Sequence, residues 1–139
     1  MVMFYGIKIQ IHSLRQNIKK HGFIKGQKSL PRHDYLSLMN AASVMIGNSS
    51  SGIVEAPSFG LPVVNIGTRQ HGRERAANVI DMPPEKEAIK NAIERALNDT
   101  KFIKRARNCQ NPYGDGKAIS RIVKIIKELE VDEDFLQKR

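Results

Sequence analysis

Two short apolar runs, Val44-Met45-Ile46 and Pro62-Val63-Val64-Asn65-Ile66-Gly67, flank the segment Gly47-Asn48-Ser49-Ser50-Ser51-Gly52-Ile53-Val54-Glu55-Ala56-Pro57. No other feature constrains the fold as tightly. The segment leads into a helix-like stretch ending at Phe59-Gly60, so the order is strand, small-residue turn, helix, strand. That is a β-α-β unit, in which the helix N-terminus faces the carboxyl end of the first strand. Free backbone N–H groups and the positive end of the helix dipole meet there, which favours an anion. The serines add hydroxyl donors, and Gly52 is expected to let a ligand approach the backbone. Glu55 does not suit phosphate. Its carboxylate suits a ribose, accepting hydrogen bonds from two neighbouring hydroxyls. The turn therefore reads as a nucleoside diphosphate site.

A structural reading competes with this one, because serines before a helix are good N-caps worth about 1 kcal/mol each. The run Thr68-Arg69-Gln70-His71-Gly72-Arg73-Glu74-Arg75 shifts the balance. It places cations and amides just beyond the carboxyl end of the neighbouring strand, where open parallel sheets bind ligands. One strand end rich in hydroxyls and one rich in arginines converge on a single anion. His71 lies in this loop and is a candidate ligand contact, whereas Arg73 and Arg75 read as solvated charges. His12, His21 and His33 read as residues of exposed helices or loops.

The rest of the chain supports an α/β domain of about four or five strands, with helices on both faces of a parallel sheet. Val2-Met3-Phe4 fits a strand. Ile11, Leu14 and Ile18 recur at helical spacing, with Gly22 as a stop. Phe23-Ile24 reads as a short extended piece and residues 28–32 as a loop broken by Pro31. His33 or Asp34 is expected to cap a helix whose apolar face is Tyr35, Leu36, Leu38 and Met39. Asn78-Val79-Ile80 is a strand signal. Residues 85–98 predict a helix with Ile89, Ala92, Ile93, Ala96 and Leu97 inward. Residues 118–129 predict another with Ile122, Ile125, Ile126 and Leu129 inward.

With 139 residues, the chain is long enough for one domain, not two. Its net charge of +9 raises the question of nucleic acid. The basic residues are scattered, aromatics are few, and no nucleic-acid motif is present. The densest basic run, residues 101–107, reads as a solvated helix face, with salt-sensitive RNA binding a minor alternative. A basic surface would speed encounter with an anionic ligand. A single cysteine, Cys109, excludes an intrachain disulfide and a thiolate metal cluster and suits a reducing cytoplasm. No apolar run approaches a membrane span. Neither a Gly-x-Gly-x-x-Gly turn, a Walker-type loop nor a convincing metal-ligand spacing occurs. No cofactor or metal is therefore expected.

The run from Met45 to Arg75, with the later block Asn111-Pro112-Tyr113-Gly114-Asp115-Gly116-Lys117-Ala118, resembles the C-terminal half of the hydrolysing UDP-N-acetylglucosamine 2-epimerases of sialic-acid and related nonulosonic-acid pathways. The likeness covers about residues 23–129. It implies a Rossmann-like half of a GT-B fold, binding UDP or a UDP-sugar in a cleft between two halves. It assigns Ser49 and Ser50 to the diphosphate, Glu55 to the ribose and Arg69 to the phosphate region. Leu30, just before Pro31, is placed near the uracil. The family's asparagine contact falls on Gly6, which would keep backbone access and remove a side-chain partner.

The resemblance also places the acid/base carboxylates and the catalytic histidine in an N-terminal half, so no catalytic residue is identified in this chain. Residues 1–129 are expected to form one UDP-binding half-domain, truncated or divergent at its start, and residues 130–139 a charged tail. Two functions follow. One is the UDP-binding half of a cytoplasmic 2-epimerase, working with a separate N-terminal half. The other is an inactive nucleotide-binding remnant or interaction module. The helix of residues 118–129 would then lack a partner, and homodimerisation is the default expectation.

Overall fold

Four short strands, β1 (Val2–Tyr5), β2 (Val44–Gly47), β3 (Val63–Ile66) and β4 (Val79–Met82), lie side by side in chain order, each parallel to the next. The computed structural model describes Val2–Tyr5, residues 20–27 and residues 29–129. The expected helix around Ile11–Ile18, the position Gly6 and the tail 130–139 lie outside the described residues. Every residue of β2 is buried. This is why the strand reads as an unbroken apolar run instead of an alternating one.

Alternation appears instead in which face each side chain serves. Val44, Ile46, Val64 and Ile80 pack with Ala92, Ala96 and Phe102 on one face. Met45 and Val63 pack with Met39, Ala56 and Leu61 on the other. The first face is covered by α3 (Lys86–Asn98) and α4 (Thr100–Arg107), the second by α1 (Arg32–Ala41) and the segment after β2. The expected parallel sheet with helices on both faces is thus the fold observed.

The segment after β2 departs from the single helix predicted there. α2 is one turn, Ser51–Val54, and a 3₁₀ turn, Ala56–Phe59, follows it. Pro57 supplies the reason, since it has no N–H to give to the carbonyl four residues back. Gly60 ends the 3₁₀ turn with φ 58°, and a Cβ there would lie 2.7 Å from Arg107 Cα. Only glycine fits both demands.

Other helix ends also differ from expectation. α1 starts at Arg32, with Pro31 at the N-cap and no side-chain cap, so neither His33 nor Asp34 caps it. A proline fixed near helical φ takes that place without a hydroxyl. Phe23-Ile24 forms no strand; it sits in a turn in which Ile24 N–H donates to His21 O, and Phe23 is exposed. In α3, Ala92 and Ala96 face the core as predicted, whereas Leu97 is exposed. α4 is capped by Asp99, whose Oδ1 accepts from Lys101 N–H and Phe102 N–H. It buries Phe102 and Ala106 and leaves its basic residues outside, as a solvated helix face requires.

The last helix, α5 (Ala118–Glu128), buries none of its residues. Ile119, Ile122, Ile125 and Ile126 are 54–77% exposed. Its predicted inward row therefore has no covering surface among the described residues.

Candidate nucleotide site

The carboxyl end of β2 is held by two consecutive residues of the loop after β3. Arg69 Nη1 donates to Asn48 O at 3.0 Å, and Gln70 Nε2 donates to the same carbonyl at 2.8 Å. Gln70 is buried despite its polarity. Asn48 Oδ1 and Gln70 Oε1 are buried acceptors with no hydrogen-bond partner among the described residues. Such groups are rare.

Ser49 follows directly, buried, with its Oγ accepting from Ser51 N–H at 3.3 Å. This local i→i+2 bond is a serine turn just ahead of the helix, not the N-cap bond anticipated. Ser50 occupies the N-cap position, but its hydroxyl makes no cap bond. With α2 only one turn long, the dipole contributes less here than a full helix would. Any anion binding then depends chiefly on hydroxyls, N–H groups and Arg69.

Glu55 closes α2, and its Oε1 lies 2.9 Å from Arg32 Nη1. Arg32 is the first residue of α1 and lies two positions after Leu30 in the chain. Ser49 and Ser50 thus follow the β2 end directly, Arg69 is bonded to the carbonyl just before them, and Glu55 lies one turn further on at the end of α2. Gly52 answers a packing demand. It is buried, and a Cβ there would meet Val63 Cγ1 at 2.9 Å. Its lack of a side chain lets α2 approach β3. His71 is exposed, its N–H donating to Thr68 O.

Arg75 is not the solvated charge anticipated. Its Nε donates to Asp81 Oδ2 at 2.7 Å, its Nη2 to Asp81 Oδ1 at 3.2 Å, and its Nη1 to Arg73 O. Asp81 also accepts from buried Asn65 Nδ2 at 2.6 Å, its register partner on β3. Burial alone would raise the Asp81 carboxyl. Hydrogen bonds from Arg75 and Asn65 and the charges of Arg75 and His71 outweigh it and hold the group below its ordinary value. Arg73 stays exposed.

Sequence reasoning missed Arg32, Asn48, Asn65 and Asp81. A signal existed for Arg32 alone: a cation in the first turn of a helix opposes the dipole, and its placement calls for a nearby carboxylate. Among the described residues no group of three or more His, Cys, Asp or Glu is placed to hold a metal. No described helix is long and apolar enough to cross a membrane.

Comparison with known proteins places this geometry in context. A family model described as UDP-N-acetylglucosamine 2-epimerase matches residues 8–127. The UDP-N,N'-diacetylbacillosamine 2-epimerase (hydrolyzing) of Legionella pneumophila is 39% identical over 130 residues, covering 91% of this chain and 33% of that protein. Polysialic acid biosynthesis protein P7 of Escherichia coli is 45% identical over 103 residues, covering 72% of this chain and 25% of that protein. A crystal structure of UDP-N-acetylglucosamine 2-epimerase superposes with TM-score 0.70 at 25% identity, over 90% of this chain and 34% of the other. The chain thus spans a quarter to a third of the length of these relatives.

Proposed function

This chain belongs to the UDP-N-acetylglucosamine 2-epimerase family, and we propose that it holds the UDP part of a nucleotide sugar during that family's reaction. In the hydrolysing reaction the anomeric C–O bond breaks and its electron pair leaves with UDP. The sugar loses its C2 proton to give a 2-acetamidoglucal, and water adds back to give N-acetylmannosamine. Charge develops on the departing diphosphate. Donors aimed at that charge lower the barrier more than donors aimed at the ground state.

The observation that carries the reading is the meeting of Arg69 and Ser49 at one strand end, with Arg69 bonded to the carbonyl of the residue before Ser49. In our reading Ser49, Ser50 and Arg69 receive the diphosphate. Glu55 accepts from the ribose hydroxyls through Oε2, because Oε1 is already committed to Arg32. The Leu30 backbone faces the uracil. UDP-N-acetylglucosamine is the first candidate substrate, and the diacetylated bacillosamine nucleotide is the second.

The proton-transferring groups belong, on this proposal, to an N-terminal half that shares the cleft. The bare apolar row of α5 favours a covering partner: that half, or failing it a second copy of this chain. We place the protein in the cytoplasm, where sugar nucleotides and a lone reduced thiol are at home. The test is calorimetric titration with UDP of the chain and its Ser49→Ala and Glu55→Ala variants. Micromolar to low-millimolar binding (roughly 4–8 kcal/mol) weakened by both substitutions supports the reading. A folded chain that ignores millimolar UDP refutes it and leaves an interaction module as the better description.

A further inference from the structure

The break in the helix at Glu55 leaves a backbone group without its usual partner. Val54 O would accept from Ser58 N–H in a continued α-helix, but Ser58 N–H donates to Glu55 O instead. Pro57, three residues on, has no N–H to offer. The orphaned carbonyl is filled from a distant part of the chain. Asn111 Nδ2 donates to Val54 O at 2.9 Å and to Ser58 Oγ at 2.7 Å. The same side chain accepts from Tyr113 N–H through Oδ1 at 2.9 Å, which sets the start of the loop after α4. Tyr113 then reaches the other half of the site, its hydroxyl donating to Glu74 O at 3.1 Å.

Asn111 and Tyr113 therefore touch both segments of the candidate site. One contact is on the turn that presents Glu55, and the other is on the loop that presents Arg69. These walls follow different strands, and Asn111 and Tyr113 bridge them. The bridge is also fastened at its far end, where Asp115 accepts from Lys117 N–H and pairs with Arg121 of α5 through both oxygens.

We propose that Asn111 and Tyr113 are positioning residues for the nucleotide site, fixing the spacing between the Glu55 turn and the Arg69–Arg75 loop. The proposal rests on the UDP-binding reading above for its functional half and on the hydrogen bonds alone for its structural half. A nucleotide that must meet a carboxylate at its ribose and a guanidinium at its phosphates requires a set distance between the two. Misplacing either wall weakens the ligand without removing any group that touches it.

Tyr113→Phe is the decisive variant, because it deletes one hydroxyl and keeps the ring. It is expected to weaken UDP binding roughly threefold to tenfold, the range for loss of one neutral hydrogen bond, with little change in melting temperature. The effect should vanish in an Arg69→Ala background, since the bridge acts on the nucleotide through that loop. Additive losses would mean a general weakening of the fold and would overturn the proposal. Asn111→Ala should weaken UDP more than pyrophosphate, because it loosens the ribose wall. Equal loss of both ligands counts against it.

Amide hydrogen exchange of the unliganded chain supplies a readout that needs no nucleotide. Tyr113→Phe should speed exchange at the His71 and Arg73 N–H groups, whose acceptors lie within the loop, and leave α3 unchanged. Unchanged loop exchange would overturn the bridge itself. If the unmutated chain fails to bind UDP, the nucleotide reading falls, and the exchange result alone then decides whether the bridge holds the two walls.

Discussion

Arg32 Nη1 and Glu55 Oε1 are 2.9 Å apart, joining the start of α1 to the end of α2. Arg32 is largely exposed and Glu55 largely covered, so the carboxylate gains more order from the pair than the guanidinium does. An exposed pair contributes about 0–1 kcal/mol to stability. Its larger effect is orientation: it fixes one carboxylate oxygen and leaves Oε2 outside the pair.

A divided response to two ligands follows. Glu55→Ala should weaken UDP roughly tenfold, in line with a charge-assisted hydrogen bond, and leave pyrophosphate unaffected, since its proposed partner is the ribose. Arg32→Ala should change UDP affinity by about threefold or less. Calorimetry with both ligands checks this. Equal loss of UDP and pyrophosphate in Glu55→Ala would remove the ribose assignment.

The two buried glycines near the site should respond unequally to alanine. At Gly52 the added methyl meets a Val63 side-chain carbon at 2.9 Å, an overpacking worth about 1–3 kcal/mol. At Gly60 it meets the Arg107 backbone at 2.7 Å with φ at 58°. The left-handed conformation adds roughly 1–2 kcal/mol to a clash that no rotamer change relieves. Urea unfolding should rank Gly60→Ala as the less stable variant. The reverse order would mean that the α4 backbone yields more readily than Val63.

The β-α-β unit was legible because its information is local: Val44–Ile46 and Val63–Ile66 are apolar runs, and the serines between them are turn formers. α3 was legible for the same reason, through Ala92 and Ala96 at helical spacing. What escaped the sequence depends on distant partners. Asn111 reaches Val54 across 57 residues, and no periodicity predicts such a contact. Asn65 and Asp81 became neighbours only when the parallel register of β3 and β4 was known. Pro57 could have announced the break in α2, but a proline near a helix start is also welcome there. The apolar row of α5 was legible as a row and its exposure agrees with the expected lack of a partner, but spacing identifies a face and not what covers it.

Stability should fall in acid partly through Asp81. Its folded-state pKa lies below the model-compound value of 3.8, so folding favours the ionised form. A depressed carboxylate contributes fully above its unfolded pKa and loses that contribution as pH falls through the folded one. Unfolding free energies of the unmutated chain and of Asp81→Asn should therefore differ most near neutrality and converge as pH falls through and below the ordinary carboxylate value. Arg75→Ala should show the same convergence. A difference independent of pH would place the effect of Asp81 in packing and not in its charge.

α5 should be dispensable for the stability of the isolated chain and necessary for its association. None of its residues is buried, so Ile122→Glu combined with Ile126→Glu removes no buried side chain and should shift the unfolding free energy by less than about 0.5 kcal/mol. The same two substitutions place carboxylates in the middle of the exposed apolar row, where any covering partner would have to desolvate them. Sedimentation of the unmutated chain at micromolar concentration should show self-association through this row, and the double variant should sediment as a monomer. An unmutated chain that is already monomeric would exclude the second copy as occupant and leave the N-terminal half. A double variant that unfolds would show instead that α5 packs against the domain in solution.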